Sequence, residues 1–160
     1  MTNTLRNSVL SLFVAGATFA SACDCGCKDH KHEKAEAVVI TGGDTMQFDV
    51  TAFEAKAGEE ITVTFKNGGN LPKTAMGHNL VILKPGSDLA SFAMAAMSAT
   101  TTEYIPQDDT NKALVVASTK VLGPGEEEAL TFTPTEAGEY PFLCSFPGHF
   151  SIMKGIMTVK

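Results

Sequence analysis

From residue 38 onward, turn chemistry interrupts this chain again and again, alternating with short β-branched or aromatic runs. Gly42-Gly43-Asp44, Lys66-Asn67-Gly68-Gly69-Asn70, Lys84-Pro85-Gly86, Gly123-Pro124-Gly125 and Ala137-Gly138 are the punctuation. Between and around them lie β-branched or aromatic runs at 46–50, 61–65, 79–83, 113–117, 129–133, 140–144 and 155–159. Alternation with period two is clearest where Ile61, Val63 and Phe65 share one face. About eight short strands in one domain of this size predict an all-β, Greek-key sandwich or barrel.

The exception is 88–99, an Ala- and Met-rich stretch with no Gly or Pro inside and Ser87 placed to cap its first turn. One inserted helix is expected there. Leu89, Phe92, Ala93 and Ala96 fall at helical spacing and would pack on the outside of the sandwich. Met94 and Met97 could hold a soft metal, but methionine on a small helix is expected as core filling.

The first 22 residues read as a signal peptide: one charge at Arg6, an apolar run at 9–15, then small residues up to Cys23. That run is far shorter than the roughly 20 apolar residues of a membrane span. Ala20-Ser21-Ala22-Cys23 resembles a bacterial lipobox, in which Cys23 carries lipid and becomes the first mature residue; the alternative is ordinary cleavage after Ala20 or Ala22. Residues 23–36 are polar and charged with no apolar face, so they form a flexible tether. Cys25, Cys27, His30 and His32 could bind Cu(I) or Zn(II) transiently there, against the simpler reading of a solvated spacer. Residues 37–160 remain as the folded domain, and the leader implies a periplasmic location or a membrane anchor facing away from the cytoplasm.

Twelve basic against eighteen acidic residues give a formal charge of −6, which argues against nucleic acid as a partner, since no basic patch is available to neutralise phosphates. Three of the four cysteines crowd the start of the chain and Cys144 stands alone near its end, so a disulfide framework across the fold is not expected.

The chemistry concentrates in the last twenty residues. Cys144 is followed after four residues by His149 and after three more by Met153, and His78 lies far upstream. One thiolate, two imidazoles and one thioether form the donor set of a blue-copper centre, with Cys and two His roughly trigonal and Met a long axial ligand. Structural zinc would want paired cysteines, which the body lacks. Pro147-Gly148 turns the chain after a strand that Cys144 closes, so one compact loop delivers three donors and a second strand end must deliver His78.

Several stretches are similar to the azurins, members of the cupredoxin family of small blue-copper proteins. They are Met46-Gln47-Phe48, Gly69-Asn70-Leu71-Pro72-Lys73, Met76-Gly77-His78-Asn79, Ser118-Thr119-Lys120 and, almost unbroken, the stretch from Phe142 to His149 with Met153-Lys154-Gly155. The resemblance implies one copper held strongly by His78, Cys144 and His149 and weakly by Met153, with the Gly77 carbonyl approaching from the opposite axial side. It also implies hydrogen bonds to the Cys144 sulfur from Asn79 and from the backbone around Phe146. This chain departs from the pattern in three places. Ala37 and Gly58 stand near the positions of the usual disulfide, Leu80 follows Asn79 where an aromatic is common and no tryptophan occurs anywhere, and Asn67 replaces a titrating histidine.

The expected function is therefore one-electron transfer outside the cytoplasm, with no substrate transformed. A copper enzyme would need further copper ions or an open coordination position, and a Cys-His hydrolase would leave the methionine and the glycine turn unexplained. The competing reading is copper storage or delivery, with the tether collecting metal. Electrons are expected to pass through the exposed edge of His149. Around it Met46, Leu71, Met76, Phe146 and Pro147 would form an apolar patch for redox partners such as c-type cytochromes or reductases.

Overall fold

The computed structural model describes residues 36–160. The leader, Cys23 and the tether residues Cys25, Cys27, His30 and His32 lie outside the described residues. Eight strands form two sheets. They are β1 (Glu36–Gly42), β2 (Ala52–Ala55), β3 (Ile61–Asn67), β4 (Val81–Leu83), β5 (Val115–Ser118), β6 (Glu127–Phe132), β7 (Gly138–Leu143) and β8 (Lys154–Val159). One sheet runs β1-β3-β6 and the other β2-β8-β7-β4-β5, with β1 parallel to β3, β2 parallel to β8 and the remaining neighbours antiparallel. The chain changes sheet after β1, β2, β3, β5 and β6, the repeated crossing that a sandwich needs in order to close around one core.

Side-chain alternation decides what faces that core. Along β3, Ile61, Val63, Phe65 and Asn67 all point inward, so the row that begins as hydrocarbon ends in a buried amide. Along β7 and just past it, Phe142 and Cys144 join the central cluster while Leu143 faces the other way. The core has no tryptophan and packs phenylalanines instead. Phe48 sits 5.7 Å from Phe65 edge to face and 5.6 Å from Phe142, which is itself 5.6 Å from Phe53.

The inserted helix is α2 (Leu89–Ala96), preceded by a single turn α1 (Lys73–Met76) and followed by a single turn α3 (Asp109–Lys112). Phe92 and Ala93 of α2 pack against Val81, Leu83 and Leu143 on the outer face of the five-stranded sheet, as the apolar stripe predicts. Asp88, rather than Ser87, caps the helix by accepting from the amides of Ala90 and Ser91. Ser87 Oγ instead donates to the Lys84 carbonyl at 2.7 Å, closing the turn before it. Met94 and Met97 are 61% and 48% exposed, so they are not core filling. The helix buries a narrow stripe only, and both thioethers fall outside it.

The run at 46–50 does not form a strand. Met46 adopts φ 55 and its amide donates to the Gly43 carbonyl at 2.9 Å, so the chain turns where an extended run was expected. Phe48 alone bridges to Gly42, and the neighbouring segment 52–55 supplies the strand instead. The run at 113–117 starts late for a similar reason, because the Ala113 N–H still donates to the Asp109 carbonyl of α3 at 3.1 Å.

Candidate metal centre

Two strand ends and one loop meet at the same pole of the sandwich. His78 follows α1 and its capping Gly77, and a two-way backbone bridge locks it to Leu122: His78 N–H donates to the Leu122 carbonyl at 3.2 Å and Leu122 N–H returns to His78 at 2.7 Å. That Leu122 carbonyl also accepts from Asn67 Nδ2 at 2.9 Å. The amide that replaces the expected histidine is thus a fixed bracket, its Oδ1 engaged by the Gly69 N–H at 2.9 Å.

Cys144 extends the β7–β8 pairing by donating its amide to the Met153 carbonyl at 3.0 Å. Between them the loop is wound on itself: His149 N–H donates to the Phe146 carbonyl at 3.1 Å, and the His149 carbonyl accepts from Met153 at 2.9 Å. Gly148 makes the turn at φ 84, a left-handed conformation that suits glycine. Gly42 serves a different need, since a β-carbon there would run into the terminal methyl of Met153.

His78, Cys144 and His149 come together as the sequence spacing predicts, with their donor atoms all within 4.8 Å of one another and all three residues buried. His78 Nδ1 lies 3.1 Å from His149 Nδ1, and the Cys144 sulfur lies 3.9 Å from the first and 3.6 Å from the second. Met153 is buried in the same cluster as Cys144. Gly77 is buried directly before His78, in a cradle where a β-carbon would strike Val121 and the Lys73 carbonyl.

The electrostatics of this cluster are those of a cation site. Burial pushes the Cys144 thiol up to about 12, against the backbone of Asn79 and of Phe146, whose hydrogen bonds to the sulfur favour the thiolate. Burial also lowers His149 to about 4, helped by the neighbouring His78. His78 is lowered by burial too, with the Gly43 carbonyl and the Asp44 carboxylate pulling the other way. Two neutral imidazoles therefore aim Nδ1 at one another beside a thiol, and the buried Nε2 of His78 has no hydrogen-bond partner. A soft cation on the Nδ1 and sulfur atoms would hold the thiolate and make use of both lone pairs. The residues fit that ion.

The Asn79 side chain does more than the sequence signalled. It leaves sulfur contact to the backbone and instead ties two loops together, accepting from Ser145 N–H at 2.8 Å and donating to Ser145 Oγ at 2.8 Å and to the Glu103 carbonyl at 2.9 Å. Thr119 and Glu103 are further supports that sequence reasoning missed. Thr119 Oγ1 accepts from Leu80 N–H at 3.0 Å and Glu103 carboxylate from Val121 N–H at 2.8 Å. Neither position carries a local signal, because each partner is distant in sequence.

At the surface, Leu71 is exposed and Met46, Met76, Phe146 and Pro147 are half-buried. His149 is only 3% exposed, so its expected open edge is a sliver, and the Phe146 ring covers it at 4.9 Å between centroids.

Residues 34–160 match the family described as copper binding proteins, plastocyanin/azurin family. The chain is 42% identical over 126 residues to outer membrane protein H.8 of Neisseria meningitidis serogroup B, covering 77% of this chain and 67% of that one. It is 43% identical over 126 residues to the azurin of Pseudomonas fluorescens biotype B, covering 76% of this chain and 95% of that one. Among solved structures, reduced auracyanin from Roseiflexus castenholzii is similar with a TM-score of 0.69 and 38% identity, covering 79% of this chain and 98% of that one.

Proposed function

The chain belongs to the plastocyanin/azurin family of copper-binding proteins, and on that premise we propose that it is a one-electron carrier rather than a catalyst. The observation that carries this reading is the convergence of His78 Nδ1, His149 Nδ1 and the Cys144 sulfur within 4.8 Å in a buried setting. Copper bound there supplies a Cu(II)/Cu(I) couple. His78, Cys144 and His149 would hold it strongly, and Met153 and the Gly77 carbonyl would be weak donors.

What the chain contributes beyond donors is rigidity. Asn67, Asn79 and Thr119 bracket the donor-bearing segments through side-chain to backbone bonds, so the same geometry serves both oxidation states and little reorganisation accompanies electron transfer. Backbone groups of Asn79 and Phe146 stabilise the thiolate, while the Phe146 ring and the buried walls keep water from the donors.

An optical spectrum tests the reading. Copper-loaded protein should show an intense visible sulfur-to-copper band, the mark of a thiolate in a trigonal His₂Cys field, together with fast electron exchange and slow loss of metal. A colourless copper complex, or rapid copper transfer with sluggish electron exchange, would overturn it.

The apolar rim formed by Met46, Leu71, Met76, Phe146 and Pro147 is the surface for redox partners of the c-type cytochrome or reductase kind. A short-lived complex suits a small patch without charge. Met76→Lys should leave the spectrum intact and slow electron self-exchange at low salt; an unchanged rate would place the port elsewhere. The leader and Cys23 put the domain outside the cytoplasm on a lipid anchor, a reading that the likeness to a protein named outer membrane protein H.8 supports. Mass spectrometry of the mature amino terminus tests the anchor, and an unmodified terminus would remove it.

A further inference from the structure

Three described residues other than glycine adopt left-handed backbone conformations, and two of them are consecutive: Glu103 at φ 57 and Tyr104 at φ 58. For a bulky residue such as tyrosine this conformation is an outlier that persists only where the surroundings enforce it. The surroundings here are the segments beside the metal-site donors. The Glu103 carbonyl is held by Asn79, the Glu103 carboxylate by the Val121 amide and the Tyr104 carbonyl by Ser145 Oγ at 2.8 Å. Asn79 follows His78 in the chain and Ser145 follows Cys144, so the strained turn is fastened to the neighbours of two donors.

The strain places one ring. Tyr104 stands edge-on to Phe146 with centroids 5.1 Å apart, and Phe146 lies against His149 with centroids 4.9 Å apart. Tyr104 is half-buried, while His149 is almost covered. Ordinary packing would need neither two successive left-handed residues nor three hydrogen bonds to bring a phenol to this place.

Resting on the blue-copper reading, we propose that Tyr104, Phe146 and His149 form a contiguous ring path that gives electrons a second way into and out of the metal site, ending at the surface on Tyr104 and lateral to the apolar rim. One electron passes from an external reductant to the metal. No bond forms or breaks, no proton leaves the phenol, and the rings act as coupling orbitals rather than as oxidised or reduced stations. Tyr104 is a positioning and coupling residue here, not a ligand.

The test uses the full chain loaded with copper, in a His30→Gln, His32→Gln background. A photo-reducing ruthenium polypyridyl complex is bound to a histidine introduced by Thr101→His, an exposed position in the same turn, and the light-triggered reduction of the site is followed in time. Tyr104→Leu should slow that step about tenfold, whereas Tyr104→Phe, which keeps the ring, should match the parent. The visible band and Tm of Tyr104→Phe should be unchanged. A control label at Glu136→His, beside the far end of β7, should report the same rate in the parent and in Tyr104→Leu. An unchanged rate from the Thr101 side in Tyr104→Leu, an equal loss in Tyr104→Phe, or an equal loss from the Glu136 side would each overturn the path. Absence of the visible band in the parent would instead overturn the blue-copper reading itself.

Discussion

The two poles of the sandwich are built by different means. At the metal-site pole, side chains staple distant loops to one another: Asn67 to Leu122, Asn79 to Ser145 and Glu103, Thr119 to Leu80, Glu103 to Val121. At the opposite pole the connections close mainly through backbone, with Gly58 N–H donating to the Pro134 carbonyl and Lys160 N–H to the Ala55 carbonyl. Side-chain bonds there are Tyr140 OH to the Glu136 carbonyl at 2.9 Å and exposed ion pairs of Lys160 with Glu54 and Lys56 with Glu59, beside an open cavity of about 380 Å³ lined by Lys84, Pro85, Val116, Thr133 and Pro134. Backbone closure is enough to end a sheet. The side-chain staples are needed where atoms from separated segments must be held at fixed separations, which is the requirement of a metal centre that changes charge without changing shape.

The sharpest way to break this contrast is at the sulfur. Cys144→Ser should abolish the visible band of copper-loaded protein entirely, because a hard hydroxyl replaces the soft thiolate, yet the far-ultraviolet circular dichroism should persist, since the phenylalanine core is untouched. Tyr140→Phe at the other pole should leave the band unchanged. A blue Cys144→Ser variant would move the site elsewhere.

Metal should stabilise one pole and, through the shared sheets, the whole domain. No disulfide occurs among the described residues, so the folded state lacks the about 2–5 kcal/mol that a native bridge supplies in small secreted domains. Copper in thousandfold excess over its dissociation constant adds about 4 kcal/mol by binding the folded state alone, which should appear as a rise in Tm of about 10 °C or more. Calorimetry with and without copper measures this, and superimposed melting curves would show that the cluster is not coupled to folding.

Breaking single staples sharpens the comparison further. Asn79→Ala removes three hydrogen bonds and leaves the Ser145 amide without its partner, so it should cost about 2–3 kcal/mol in urea unfolding. Tyr140→Phe removes two at the far pole, both to the Glu136 backbone and one of them long at 3.4 Å, and should cost about 1 kcal/mol. Equal costs would mean that the two poles are held alike.

The difference between the poles also explains what could be read from the sequence. The donors were legible because the chemistry of copper restricts the residue types and because Cys144, His149 and Met153 share one loop. Alternation made β3 legible, and helical spacing made the buried stripe of α2 legible. The staples were not, because Glu103, Thr119 and Ser145 find partners 18 to 41 residues away, and no local pattern records such a pairing. The failure at 46–50 has the same origin. Met46-Gln47-Phe48-Asp49-Val50 has strand composition, but the Asp49 carboxylate accepts the Thr41 amide at 2.6 Å and Met46 turns the chain, so tertiary bonds override propensity.

The last effect expected is a pH dependence confined to one pole. His78 and His149 are the histidines of the described residues, and both are lowered from 6.5, His149 to about 4. In metal-free protein between those values the unfolded chain takes up protons that the folded site refuses, so stability should fall as pH drops below 6.5 and stay flat above it. Cys144 acts in the opposite direction. Its thiol is raised from 9.0 to about 12, so above 9.0 the unfolded chain loses a proton that the folded site keeps, and stability should fall again as pH rises toward 12. Metal-free protein should therefore be most stable between about pH 7 and 9. Comparing urea midpoints of wild type and Cys144→Ser across this range isolates the thiol: the variant should lose the part of the alkaline decline that the thiol causes and keep the acid one. If both declines persist unchanged in Cys144→Ser, the alkaline limb belongs to groups outside the metal-site pole, and the contrast between the poles does not extend to their protons.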